Sequence, residues 1–133
     1  MPLLQSGARF AASRMPKVIT PGAHAVLDYA VAGVFLLMGA RMWRKHRRAA
    51  LASFACGAAK AINSMVTDYP GGVAPVIDYD THGRLDAGIA ALTAAAPKFL
   101  GFAVEGEARL FSGFALAETV IAGLTDYEEA TSD

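Results

Sequence analysis

Two histidines in this 133-residue chain are each followed four positions later by an aspartate, which gives the pairs His24–Asp28 and His82–Asp86. A Thr-Asp-Tyr triplet also occurs twice, at residues 67–69 and 125–127. The second copy of each motif lies 58 positions after the first. Imidazole and carboxylate groups together form a common ligand set for zinc, manganese and non-haem iron. The candidate metal ligands are His24, Asp28, Asp68, His82, Asp86 and Asp126.

One spacing shared by several separated motifs indicates a tandem duplication. The dipeptides Val18-Ile19 and Val76-Ile77, upstream of the two histidines, keep the same spacing. We therefore predict a single domain over residues 1–133, divided into an N-terminal arm at 1–15, repeat one at 16–73 and repeat two at 74–131. The arm is expected to be either an interfacial helix or a disordered tail.

Long segments poor in charge predict an all-α fold with four helices, at 24–43, 49–67, 82–102 and 107–125. Proline and glycine at Pro21-Gly22 are expected to stop any helix before His24. Two such hairpins in an up-down-up-down bundle bring the candidate ligands to one end of the bundle. The duplication therefore predicts one cluster of histidines and aspartates.

The composition favours a membrane environment. The chain is 54% hydrophobic and 18% charged, whereas about a quarter of the residues in soluble domains are charged. Residues 31–38 offer no polar stripe, which a helix on the surface of a soluble bundle needs. Twenty helical residues span about 30 Å, the thickness of a bilayer core. We predict a four-helix transmembrane bundle in contact with the lipid bilayer, with a soluble Ala-rich bundle as the alternative.

Basic residues crowd the turn between the first two predicted helices, at Arg41, Arg44, Lys45, Arg47 and Arg48. Short loops of this kind stay in the cytoplasm. We therefore expect a multi-pass protein of the bacterial inner membrane, with both termini and the His/Asp cluster at the extracytoplasmic face. The net charge of zero gives no general attraction for nucleic acid.

Lys60 and Glu118 keep the same spacing, so the duplication places them at equivalent depths on the second and fourth helices. A charged side chain inside a membrane segment needs a partner. We therefore predict a buried ion pair between Lys60 and Glu118. A step in a proton or ion path is the alternative for this pair.

The His/Asp cluster supports three interpretations: a structural clamp of hydrogen bonds, a metal or ligand site, and a proton relay. The sequence contains no nucleophile elbow, phosphate-binding glycine loop, His-Glu-x-x-His or Cys-x-x-Cys motif. We therefore predict a non-enzymatic membrane protein, structural or a subunit of a membrane partner or homo-oligomer, whose cluster could bind zinc, manganese or iron. A metal-dependent membrane enzyme and small-ion or proton transport are the alternatives.

The third predicted helix carries a further pattern, formed by His82, Asp86, Pro97, Gly101 and Phe102. This pattern resembles the small bacterial membrane proteins with SPW repeats. In that family a helical hairpin is repeated, and its first helix ends in a proline-containing motif followed by Gly-Phe. The resemblance covers roughly residues 16–127. It implies a membrane fold made of two hairpins, and it implies no established activity.

Overall fold

The computed structural model describes residues 15–127, and within that range the chain forms four helices and no strand longer than an isolated bridge. The helices are α1 (Pro21–Met42), α2 (Arg47–Met65), α3 (Tyr79–Phe99) and α4 (Ala108–Leu124). The predicted all-α architecture with four helices is therefore confirmed. The predicted N-terminal arm at 1–15 lies, except for Met15, outside the described residues.

Side-chain caps begin α1 and α3 earlier than the sequence predicted. The Thr20 hydroxyl accepts a hydrogen bond from the N–H of Ala23 at 3.2 Å, and Pro21 occupies the first turn of α1. The Asp78 carboxylate likewise accepts from the N–H of Thr81 at 2.7 Å, and this bond lowers the pKa of Asp78. The prediction that Pro21 stops a helix is wrong, because a first-turn proline lacks only an N–H that the helix does not use.

The helices pack as two hairpins, α1 against α2 and α3 against α4, and contacts between α2 and α3 join the hairpins. Gly57 lies where α2 approaches α1 closely. A Cβ atom at this position would be 3.0 Å from the Phe35 side chain and 3.1 Å from the carbonyl oxygen of Ala32. Small residues at such crossings let two helix backbones come close together.

Short backbone contacts join the hairpins at the end where α1 and α3 begin. Ile19 forms an isolated parallel bridge with Thr125, and Ile77 forms one with Thr67. The N–H groups of Ile19 and Ile77 donate to the carbonyl preceding the partner threonine, at 2.9 and 3.0 Å. The segment that leads into each hairpin therefore lies beside the segment that leaves the other.

The interior is divided into an apolar half and a polar half. The apolar half lies near the α1–α2 and α3–α4 turns and is formed by Phe35, Met42, Ala49, Ala50, Ala52, Cys56, Phe102 and Phe111. The polar half lies toward the opposite end and contains His24, Asp28, Lys60, Asn63, Ser64, His82, Asp86 and Glu118, all buried. The first turns of α1 and α3 thus deliver the motif histidines to the polar half.

The surface of every helix carries large apolar side chains. Leu37, Ile62, Leu92 and Leu116, one on each helix, are between 59% and 68% exposed. Of the helices that the structure describes, only α1 is long and apolar enough to cross a membrane, whereas four spans were predicted. The difference arises because α4 has only 17 residues and because α2 and α3 carry several charged and polar side chains.

Candidate metal centre

Four of the six candidate ligands meet in the polar half of the bundle. His24 and Asp28 lie one turn apart on α1, and His82 and Asp86 lie one turn apart on α3. All four side chains are buried. Each offers one ligand atom, and these four atoms lie within 4.8 Å of one another. Residues four apart share one side of a helix, so each helix directs an imidazole and a carboxylate to the same point.

Four of the separations between these atoms are close to those of a tetrahedral site. The two Nε2 atoms of His24 and His82 are 3.3 Å apart. His24 Nε2 lies 3.3 Å from Asp28 Oδ1, and Asp86 Oδ2 lies 3.2 Å from the Nε2 atoms of both histidines. Zinc bonds of about 2.0 Å in a tetrahedron place the ligand atoms about 3.3 Å from one another. These four separations are close to that value, and His82 Nε2 contacts the other oxygen of Asp28, Oδ2, at 3.0 Å.

Two threonine hydroxyls orient the imidazole rings. Thr125 Oγ1 lies 2.8 Å from His24 Nδ1, and Thr67 Oγ1 lies 2.8 Å from His82 Nδ1. Each hydroxyl also donates its proton to the backbone carbonyl four residues earlier, at 2.6 and 2.5 Å. Since the hydroxyl proton is used in this way, the hydroxyl accepts from the ring and Nδ1 carries the hydrogen. The Nε2 atoms, which face the carboxylates, are then the ligand atoms.

Lys60 completes the charged centre from α2. Its Nζ lies 3.0 Å from Asp28 Oδ1 and 3.0 Å from Asp86 Oδ2. The ammonium therefore contacts two aspartates in this structure, and the predicted ion pair between Lys60 and Glu118 stays a prediction. Two carboxylates and one ammonium leave one negative charge in a buried site. A further cation, either a proton held by the imidazoles or a metal ion, balances that charge.

Glu118 lies beside this centre on α4. It is 5% exposed, and neither of its carboxylate oxygens has a hydrogen-bond partner among the described residues. Glu118 and Asp86 both line a groove between α3 and α4 whose other walls are mostly alanine. A buried carboxyl group without a partner is uncommon in proteins, so Glu118 requires an explanation beyond packing.

Further donors from α2 and the segment after it hold the carboxylates in place. Ser64 Oγ and Tyr69 OH donate to Asp28 Oδ2 at 3.1 and 3.2 Å. Asn63 Nδ2 donates to Asp86 Oδ1 at 2.9 Å. Burial, aided by the negative charge of Asp28, raises the pKa of Tyr69, so its phenol keeps the proton that it donates.

Sequence reasoning missed this contribution of α2, although a signal for it was present. Four polar residues near the end of the helix and just after it are Lys60, Asn63, Ser64 and Thr67. Their positions follow an i, i+3, i+4, i+7 pattern, which places them on one helical face. An otherwise Ala-rich segment with one such polar face indicates contact with a buried polar centre.

The structure does not bring Asp68 and Asp126 into the four-residue group, as far as residues 15–127 are concerned. Asp68 is exposed and Asp126 is half-buried. Their N–H groups donate to the carbonyls of Ile77 and Ile19, at 2.8 and 3.2 Å. Successive side chains alternate in direction where a chain is extended. The threonine of each Thr-Asp-Tyr triplet therefore points to the imidazoles, and the aspartate next to it points away.

A second group of potential ligands, His46, Glu105 and Glu107, lies near the turns at the opposite end. His46 Nδ1 is 3.4 Å from Glu105, and His46 Nε2 is 2.9 Å from Glu107. The two carboxylates thus contact different nitrogens of one ring. One ligand atom from each of the three residues lies within 4.8 Å of the other two, and the partly exposed group links the two turns.

Comparisons with protein-family models, with curated proteins and with solved structures find no match for this chain. The function is therefore inferred from the side chains of the centre itself.

Proposed function

We propose that this chain is a membrane-embedded four-helix bundle that binds one divalent metal ion, with zinc as the best fit. The ligands are Nε2 of His24, Nε2 of His82 and one carboxylate oxygen each from Asp28 and Asp86. The observation that carries this proposal is that both Nε2 atoms and Oδ2 of Asp86 lie 3.2 to 3.3 Å from one another, with both Nδ1 positions anchored by hydroxyls. Groups that orient the histidines are therefore present beside the proposed ligands.

The ligand set favours zinc over the other ions predicted from the sequence. Zinc accepts mixed nitrogen and oxygen ligands in a four-coordinate site. Manganese prefers octahedral oxygen ligands, and non-haem iron typically uses two histidines and one carboxylate with open positions. Four ligands from the protein form a closed site, which is typical of structural zinc. We therefore propose a structural or partner-subunit role, in which the ion ties α1 to α3, and not a metal-dependent enzyme.

The distribution of polar and apolar side chains supports the membrane part of the proposal. Leu37, Ile62, Leu92 and Leu116 face outward, while the charged centre is buried. Soluble bundles have the opposite arrangement, with apolar residues inside and charges outside. The basic turn after α1 supports an inner-membrane orientation in which both termini and the metal centre lie on the extracytoplasmic side. The apolar surface could also contact a membrane partner or a second copy.

Matched contacts support the proposed duplication of a hairpin. The Thr125–His24 and Thr67–His82 hydrogen bonds have the same length of 2.8 Å. The bridges that Ile19 and Ile77 make are related by the same 58-residue offset. Such correspondence between the halves is expected of an internal repeat, and it agrees with the resemblance to SPW-repeat proteins.

The third histidine provides a matched control for a test of metal binding. Wild type, the double variant His24→Ala/His82→Ala and the control His46→Ala would be purified in detergent, loaded with zinc and dialysed. Elemental analysis is expected to find stoichiometric zinc in wild type and in His46→Ala and none in the double variant. A wild type that retains no zinc, or a double variant that retains as much, would show that the cluster is only a hydrogen-bonded clamp.

A separate measurement tests the membrane part of the proposal. The chain, expressed in bacteria, is expected to stay in the membrane pellet after washing at alkaline pH. Recovery of folded chain in the supernatant without detergent would contradict the proposed bilayer location, and it would leave the metal centre to be judged by the zinc analysis.

A further inference from the structure

We infer that Lys60 is an internal competitor for the metal ion, and that Glu118 receives its ammonium group when the ion binds. This inference rests on the proposed metal site and concerns how strongly that site holds its ion. It assigns a role to the unpartnered glutamate beside the centre and to the lysine that contacts both aspartate ligands.

The Lys60 ammonium lies among the proposed ligand atoms. Lys60 Nζ lies 3.0 Å from Asp86 Oδ2, the same oxygen that lies 3.2 Å from both imidazoles. It also lies 3.0 Å from Asp28 Oδ1, which is 3.3 Å from His24 Nε2. The ammonium therefore uses the carboxylate oxygens that a metal ion would use. Because the two cations repel each other and share these ligands, metal binding must displace the ammonium.

A displaced ammonium needs another acceptor inside the bundle. Lysine has a flexible four-carbon stem and a compact charged head, so Nζ can move while the backbone of α2 stays in place. Lys60 is almost fully buried, so the displaced charge must find a counter-charge inside the bundle. Glu118 lines the same groove as Asp86, which holds the ammonium, and among the described residues both of its oxygens lack a hydrogen-bond partner. Glu118 is thus a vacant acceptor for the ammonium.

The competition between Lys60 and the ion has a consequence for the affinity of the site for metal. In the metal-free protein the Lys60 ammonium holds the two aspartates, so the metal must replace an existing pair of ionic contacts. In the metal-bound protein the Lys60–Glu118 pair removes the repulsion between ammonium and metal. Removing the lysine should therefore strengthen metal binding, and removing the glutamate should weaken it only while the lysine is present.

A double-mutant cycle tests this coupling. Zinc affinity would be measured in detergent, by competition with a chromophoric chelator, for wild type, Lys60→Met, Glu118→Gln and the double variant. We expect Lys60→Met to bind at least about tenfold more tightly and Glu118→Gln at least about tenfold more weakly, effects of the size seen for supporting residues around metals. In the Lys60→Met background, Glu118→Gln is expected to change the affinity by less than about twofold.

The outcomes separate this inference from the proposed function. The competition is overturned if Glu118→Gln weakens zinc binding equally in both backgrounds or has no effect. It is also overturned if Lys60→Met binds zinc more weakly than wild type. In each of these cases the metal site stands. If neither wild type nor any Lys60 variant binds zinc, both are overturned. Circular dichroism checks the folding of every variant. Lys60→Gln, which can still donate hydrogen bonds to the aspartates, replaces Lys60→Met if that variant fails to fold.

Discussion

The hydroxyl of Thr67 offers the most direct test of the proposed metal centre, because it lies 2.8 Å from Nδ1 of His82. Thr67→Val keeps the size and the β-branch of the side chain but removes the hydroxyl. The N–H of the ring then has no acceptor, in a position where both residues are fully buried. The imidazole is free to turn, so Nε2 no longer points to a fixed place between the carboxylates.

The expected magnitudes follow from the loss of this single bond. A buried donor left without an acceptor costs about 1–3 kcal/mol of folding free energy. Loss of a group that orients a metal-bound histidine lowers metal affinity by about 10–100-fold, or about 1.4–2.8 kcal/mol. Thr67→Val also removes the bond from the hydroxyl to the Asn63 carbonyl, and this part of the effect needs a control.

Thr93→Val is that control. Thr93 is fully buried, and its hydroxyl donates to the carbonyl of Ile89 at 2.8 Å, which is the same kind of bond four residues back along a helix. Its other contact is with Sγ of Cys56 at 3.5 Å. Both variants are therefore expected to lower the melting temperature of the metal-free protein, and only Thr67→Val is expected to weaken zinc binding.

The assay is zinc competition with a chromophoric chelator in detergent, combined with thermal unfolding followed by circular dichroism. Wild-type zinc affinity in Thr67→Val would refute the role of the hydroxyl in orienting the ring. Equal loss of affinity in Thr93→Val would show that general loosening of the bundle, and not the orientation of His82, controls the metal.

Three further predictions concern the scaffold, and each is measured as a change in unfolding free energy in detergent. Gly57→Ala is expected to destabilise the bundle by about 1–3 kcal/mol through overpacking against α1. Its control is Gly88→Ala, whose new Cβ meets no atom within 4 Å among the described residues and which should stabilise the bundle by up to about 1 kcal/mol. Equal effects of the two substitutions would contradict the close crossing of α1 and α2. Ser53→Ala should cost about 1 kcal/mol, because the buried hydroxyl donates to the Phe35 carbonyl at 2.5 Å, and an unchanged melting curve would contradict a contribution from that bond. Glu107→Gln should lower the unfolding free energy by less than about 1 kcal/mol, because the contact of Glu107 with His46 is partly exposed. This difference should disappear at high salt. A large loss of unfolding free energy that does not depend on salt would show that the contact is essential.

The meeting of His24, Asp28, His82 and Asp86 was accessible from the sequence because it depends on only two simple regularities. A spacing of four places a histidine and an aspartate on one side of a helix. A repeated hairpin in an up-down-up-down bundle returns the second such helix to the same end. Neither regularity depends on the details of packing, so both survive errors of a few residues in the helix boundaries.

The partner of Lys60 was not accessible in the same way. The 58-residue offset gives the depth of a residue in the bundle but not the direction or reach of its side chain. Asp28, Asp86 and Glu118 are all buried in the polar half of the bundle, and the positions of their side chains decide which of them the ammonium contacts. The choice of two aspartates over Glu118 is therefore a property of the assembled interior.

The roles within the Thr-Asp-Tyr triplets show another limit of pattern reasoning. The chemistry of carboxylates draws attention to Asp68 and Asp126 and not to the threonine beside each of them. Thr67 and Thr125 each form an isolated bridge just after α2 and α4, and their hydroxyls face the imidazoles. The predicted helices ended at these threonines, whereas α2 ends at Met65 and α4 at Leu124.

The bridges of Ile19 with Thr125 and of Ile77 with Thr67 make the order of the two hairpins along the chain interchangeable. The start of the first hairpin meets the end of the second in the same way that the linker region meets the end of the first. A circular permutant that begins at residue 74 and joins the original ends through a short linker would keep every one of these contacts. If the two halves arose by the proposed duplication, the same geometry describes how two copies of a single hairpin would close on each other as a symmetric homodimer.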